Sequence, residues 1–156
     1  MDKELLKDFT KIIRNSTIKR LVTVPKGYEH WKLSSDSLSF AEVAKHLIDI
    51  DDWTLSKIKN PALKSIETQT AIMDNCDREK FLELIEELKK TLDKKLEFID
   101  NLEKADLEKK IYDDSFGTEI SIAMLFLRRN LDHEIHHRGQ IAVYLKMLKD
   151  KNNIKL

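Results

Sequence analysis

The chain has 156 residues, with 28 basic and 28 acidic side chains that cancel to a formal charge of zero. Hydrophobic residues make up 41% and charged residues 36%, with only three Gly and two Pro, a mixture that suits helices with solvated outer faces and excludes a turn-rich β fold. Basic and acidic residues are interleaved, as where Lys89-Lys90 follows Glu86-Glu87, so the basic stripe of a nucleic-acid binder is missing and no nucleic-acid partner is expected.

At this length the chain fits one domain covering residues 1–156. The single cysteine, Cys76, excludes an internal disulfide and fits a reducing compartment. Met1-Asp2-Lys3-Glu4 is charged and lacks the apolar core of a signal peptide. No apolar run approaches the roughly 20 residues that cross a bilayer. The expectation is a soluble cytoplasmic protein with no membrane partner.

The spacing predicts a first helix from about Lys3 to Arg20, with Leu5, Leu6, Phe9, Ile12 and Ile13 as its core-facing stripe. Val24-Pro25-Lys26-Gly27 ends it, and a polar loop follows. Ser39 three residues before Glu42 is a capping-box pattern that starts a second helix. Phe40, Val43, Ala44, Leu47, Ile48 and Ile50 form its buried side, and it ends near Asn60-Pro61. The stretch from Pro61 to Cys76 is weakly patterned, with room for a short helical turn. Asp77 caps a third helix, whose Phe81, Leu82, Ile85, Leu88, Leu92, Leu96, Ile99 and Leu102 recur mostly at three or four residues. A connection containing Asp113, Asp114 and Gly117 leads to a fourth helix from about Glu119 to Lys149. Four such amphipathic helices predict an all-α protein, an antiparallel four-helix bundle.

His133 and His137 are four residues apart and share one helix face. Extending that face adds Phe126 and Asn130 on one side and Ile141, Tyr144 and Leu148 on the other. Both imidazoles therefore face the interior, where a neutral histidine needs a hydrogen-bond partner or a metal. His46 is flanked at helical spacing by Val43, Ile50 and Trp53, and bundles build metal sites from facing helices. Three histidines with an open fourth position match catalytic zinc sites, while nickel, copper and iron also accept imidazole. The plainer alternative is three core histidines satisfied by hydrogen bonds. His136 is rotated about 100° from His137 and belongs at the rim or surface; His30 reads as a surface residue.

The run His133-Glu134-Ile135-His136-His137-Arg138-Gly139-Gln140 resembles the signature of the DinB/YfiT-like superfamily of metal-binding four-helix bundles. This DinB is a damage-inducible protein, unrelated to the DNA polymerase sharing its name. Leu38-Ser39-Phe40-Ala41-Glu42-Val43-Ala44-Lys45-His46-Leu47 is similar to the family's segment around its first metal histidine. The resemblance covers nearly the whole chain in helix order and loop placement. It implies His46, His133 and His137 as metal ligands, zinc, nickel or a related divalent ion, and commonly a homodimer. Characterised relatives include thiol-dependent transferases and isomerases using bacillithiol, mycothiol or glutathione. Pro61 to Cys76 and Tyr112 to Thr118 match no particular subfamily, which leaves the substrate open.

Three neutral imidazoles leave a bound ion its full charge, which lowers the pKa of bound water toward about 7 and deprotonates a bound thiol. Asp49 and Asp132 are placed to accept a hydrogen bond from a ligand's free N–H, with a solvated face as the alternative. The catalytic candidates are Asp49 and Glu134, the latter as a general base. Gly139 in mid-helix costs roughly 1 kcal/mol against alanine, which suggests close approach by another backbone, within the bundle or across a dimer. Arg138 and Gln140 are assigned to packing or substrate contact, and Cys76 to a loop as an ordinary free thiol. The functional expectation is a metal-dependent enzyme, a thiol-dependent S-transferase or hydrolase acting on a small molecule. The alternatives are a non-catalytic metal-binding stress-response or binding module, and a purely structural helical dimer.

Overall fold

Three uninterrupted helices and one composite helix carry most of the computed structural model, which describes residues 2–65 and 76–152, the last two by backbone alone. Helix α1 spans Lys3–Leu21, α2 Phe40–Lys59 and α3 Arg78–Asp100. A short α4 (Lys104–Glu108) and a hairpin of β1 (Lys110–Asp113) and β2 (Thr118–Ser121) follow. The composite helix is α5 (Ile122–Leu125), a π-helical segment (Phe126–Leu131) and α6 (Asp132–Asn152).

Local chemistry sets the helix starts. Asp2, Asp77 and Ser121 each accept from a backbone N–H of the first turn. At α2 the expected capping box is complete: Ser39 Oγ accepts from Glu42 N at 3.1 Å, and Glu42 Oε2 accepts from Ser39 N at 2.8 Å. The expected helical turn between Pro61 and Cys76 falls largely outside the described residues.

Two apolar clusters show how the helices run. One joins Leu21 at the end of α1, Phe40 to Ile48 at the start of α2, Phe81 to Leu88 at the start of α3, and Ile141 to Leu148 on α6. The other joins Leu6 and Ile13 of α1, Trp53 of α2, Ile99 of α3, and Leu125 to Leu131 of the composite helix. So α1 and α6 run one way, and α2 and α3 the other. The all-α bundle is as expected, with parallel neighbours where long connections allow them. Residues 60–77 are enough chain to return along a helix about 30 Å long.

Three sequence expectations change. The stripe expected on α1 is rotated: Leu6 and Ile13 are buried, but Leu5, Phe9 and Ile12 are 50%, 51% and 66% exposed. The buried face is instead Leu6, Thr10, Ile13, Arg14, Thr17 and Leu21. It tolerates polar residues because Thr10 and Thr17 donate to the carbonyls of Leu6 and Ile13, and because Arg14 is fully paired. On α3, Leu82 is exposed although the neighbouring stripe is buried.

The fourth helix starts at Ile122, because Glu119 lies in β2. Ile111 pairs with Ile120 and Tyr112 with Glu119 in an antiparallel ladder. Asp113 Oδ1 accepts from the backbone of Ser115 and Phe116, and Gly117 supplies the turn's positive φ of 64°.

The π segment is the third change. Buried Leu125 and Phe126 are followed five residues later by buried Asn130 and Leu131. A regular α-helix would swing that second pair off the face by well over a quarter turn, whereas i→i+5 winding keeps it inward.

Leu6→Ala is expected to lower the unfolding free energy by about 2–5 kcal/mol, and Ile12→Ser to change it by no more than about 0.5 kcal/mol. Urea titrations of both variants test this; equal losses would return Ile12 to the core.

Candidate metal centre

The α2 and α6 faces meet at three imidazoles. His46 Nε2 lies 2.7 Å from His133 Nε2, and His137 Nε2 lies 3.1 Å from the same atom. One ligand atom from each residue falls within 4.8 Å of the others, so the trio could hold a metal ion. His46 and His137 are buried and His133 is half-buried.

Proton counting supports an ion at this point. Gln140 Oε1 lies 2.8 Å from His137 Nδ1, and as an acceptor it requires the proton on Nδ1. That leaves His137 Nε2 as a bare lone pair. His133 Nε2 faces both other rings, and a single N–H there would have to serve two contacts. A cation shared with His46 would meet both of those nitrogens at once. Bonds of about 2.0–2.1 Å to a tetrahedral ion place the nitrogens roughly 3.3 Å apart, so the His46–His133 and His133–His137 contacts need only a slight opening.

The imidazoles are biased toward the neutral, ligand-competent form. Burial lowers the His46 pKa, against a smaller upward pull from Asp49. Burial, with the neighbouring His137 and His46, takes His133 down to about 3. For His137, burial outweighs the hydrogen bond that its Nδ1–H donates to Gln140 and takes it down to about 4.

Gln140 also lies 3.1 Å, through Nε2, from His136 Nε2 on the exposed side of α6. It therefore fills the orienting role considered for Asp49 and Asp132. Asp49 instead pairs with Lys45, and Asp132 pairs with Arg128 at 3.2 Å on an exposed face. Among the described residues nothing crowds the space a side chain at Gly139 would fill, so close approach within the bundle does not explain that glycine. Cys76 is buried, and burial pushes its thiol pKa up. His30 is exposed.

Glu134 belongs to a buried ionic layer that sequence reasoning missed. All five N–H donors of Arg14 have acceptors. Nε and Nη2 grip the two oxygens of Glu134, each at 2.8 Å, and Nη2 also donates to Asp51 Oδ2 at 2.8 Å. Nη1 donates to Leu88 O at 2.9 Å and Thr91 Oγ1 at 3.0 Å. Lys95 lies 2.7 Å from Asp51 and donates to Asn130 Oδ1 at 3.0 Å. Asn130 Nδ2 in turn donates to Asp51 at 2.9 Å.

Two cations face two anions, so the layer is neutral. Burial opposes the charge on Asp51, but Lys95 and Arg14 outweigh it and hold its carboxyl at about 2. Burial likewise opposes the charge on Arg14, and Asp51 and Glu134 reverse that, raising its pKa. On Lys95 burial prevails over Asp51 and the shift is downward; we read its ammonium as charged, because Asp51 is an anion at contact distance. The signal in the sequence was faint but present: Lys95 interrupts the apolar series of Phe81, Ile85, Leu88, Leu92 and Ile99 at a core-facing position.

The family model described as DinB family matches residues 4–151. The chain belongs to the DinB family. Its fold is similar to that of a DinB-like protein from Bacillus subtilis, with a TM-score of 0.69 and 21% identity over 92% of this chain and 91% of that one. It is similar also to an uncharacterised protein from Clostridium difficile 630, with a TM-score of 0.71 and 14% identity over 95% and 98% of the two chains. At these identities the likeness shows the fold. No curated protein matches the chain. Among the described residues of this DinB-family chain, no helix is long and apolar enough to cross a membrane.

Below about pH 6.5 the unfolded imidazoles take up protons, while folded His133 and His137 resist to about 3 and 4. The unfolded chain then binds more protons, so the stability these groups contribute is full above pH 6.5 and falls as pH drops toward 4. Thermal melts of metal-free protein are expected to show a lower Tm at pH 5 than at pH 7. The double variant His133→Gln/His137→Gln should flatten that slope, and an unchanged slope would contradict the assignment.

Proposed function

We propose that this DinB-family protein is a divalent-metal-dependent enzyme acting on a small molecule, either as a thiol-dependent S-transferase or as a hydrolase. The observation that carries this reading is the convergence of three neutral imidazole nitrogens from two helices. Among the described residues the site offers three side-chain ligands, one short of a closed tetrahedral site, and three imidazoles leave an ion its full charge. Zinc and nickel are the ions we favour, since imidazole suits both.

His46, His133 and His137 would hold the ion. Bound there, it would act as a Lewis acid, favouring the thiolate form of a low-molecular-weight thiol or the hydroxide form of water. Gln140 keeps the Nδ1 proton on His137, so that Nε2 faces the centre. Glu134, the general-base candidate, is held in an ion pair by Arg14, so its contribution is to hold α6 in place. Asp49, half-exposed, one turn after His46 and paired only with the half-exposed Lys45 among the described residues, is the carboxylate we assign to take a proton from a substrate at the rim. The homodimer implied by the family is part of the proposal, and Ile135 and Val143 of α6 are exposed apolar positions available to it.

Metal analysis of zinc-supplemented protein is expected to find about one ion per chain, with His137→Ala losing it. Gln140→Leu should bind it about 10–100-fold more weakly. The loaded protein should then turn over members of an electrophile panel with bacillithiol, mycothiol or glutathione, or hydrolyse them without thiol. Full metal in His137→Ala would refute the centre. A loaded protein that turns over nothing would favour a non-catalytic metal-binding module.

A further inference from the structure

The ionic layer has a geometry that stability does not explain. Four ionised side chains are costly to bury, and packed apolar residues of the same volume commonly stabilise a fold as well or better. What apolar residues lack is direction. A guanidinium is a rigid planar fork whose donors meet acceptors only at set angles.

Arg14 directs that fork at the two helices that carry the imidazoles. Asp51 follows His46 by five residues on α2. Glu134 follows His133 directly and precedes His137 by three residues on α6. At 100° per residue, Glu134 lies about 60° around α6 from His137, and Asp51 about 140° around α2 from His46. Each helix thus presents an imidazole to its partner helix and a carboxylate to Arg14, the two offset by about 7.5 Å along α2 and by about 1.5–4.5 Å along α6. Rotating either helix to separate the imidazoles would pull a carboxylate off the guanidinium. Nη1, held by Leu88 O and Thr91 Oγ1, anchors the fork to α3. Thr91 also donates to Asp51 at 2.7 Å, which ties that anchor to α2.

We infer that Arg14 is the positioning residue of the three-histidine centre, holding α2 and α6 at the rotation and depth where His46 meets His133 and His137. The inference rests on the metal-centre reading above. Arg14 touches neither the imidazoles nor the ion; it acts through Asp51 and Glu134. Ligand constellations need to be held within about 0.5 Å and 10–20° to bind well, a tolerance that loss of a five-bond anchor exceeds.

Cobalt(II) is the probe, because its visible absorption reports coordination geometry as well as affinity. Wild type, Arg14→Met, Arg14→Lys and the control Ile99→Ala are titrated under conditions where circular dichroism shows each folded. Ile99 belongs to the apolar cluster that contains Leu6 and Trp53 and has no ion-pairing group of its own, so Ile99→Ala destabilises while leaving every member of the ionic layer in place. The expected result is at least tenfold weaker cobalt binding and an altered visible band for Arg14→Met. Arg14→Lys should recover affinity only partly, and Ile99→Ala should match wild type. If Arg14→Met does not fold, the isosteric Asp51→Asn carries the same test, with the same expected loss.

Wild-type affinity and spectrum in the folded Arg14 or Asp51 variant would overturn the inference while leaving the metal centre standing. An equal loss in Ile99→Ala would also overturn it, by showing that general destabilisation is enough. A wild-type protein that takes up no cobalt would overturn the metal-centre reading and this inference with it.

Discussion

Everything in this bundle turns around one buried guanidinium. Arg14 lies fully inside, reaches each of the other three long helices, and gives every one of its five N–H groups an acceptor. A cation in that position is tolerable only if the anions are already there, since an isolated buried charge costs far more than a domain's net stability. The consequence is a mutual constraint. Asp51, Glu134, Lys95, Asn130 and Thr91 must all be in place together, and the four helices with them.

That constraint divides the interior into strata. An apolar cluster lies on either side of a polar layer, and the layer contains both the ionic network and the three histidines. The apolar clusters hold the helices together without specifying their rotation. Ion pairs and bidentate hydrogen bonds do specify it, because they weaken steeply with angle. The π segment makes the same point in the backbone. Its extra residue per turn keeps Leu125, Phe126, Asn130 and Leu131 on the inner face, just ahead of His133.

Much of this was legible in the residues. The four long helices and most of their limits followed from apolar spacing and capping, as with Ser39 and Glu42, because local propensity and core burial agree there; the five-residue α4 did not. The histidine trio was legible for the same reason: an i, i+4 pair and a third histidine lie on faces already marked as buried by Val43, Ile50, Ile141 and Tyr144. The hairpin was missed although Ile111, Ile120 and Gly117 carry its signal. Four-residue strands leave too little alternation to stand out beside long helices. The rotation of α1 was missed for a different reason. Leu5, Phe9 and Ile12 look like a core stripe, and only the pairing of Arg14 with residues 37 and 120 positions away makes the opposite face the buried one.

By itself, then, the sequence determined the class, the helices and which histidines point inward, since these depend on interactions within a few residues along the chain. The tertiary structure alone decided which charges are buried, which face of α1 is the inner one, and that Gln140 rather than a carboxylate orients His137. It also decided that the three histidines rest on a neutral ionic layer. Those facts depend on partners brought together from opposite ends of the chain, and a charged residue cannot signal its own burial. Its burial becomes affordable only through the partners that folding supplies.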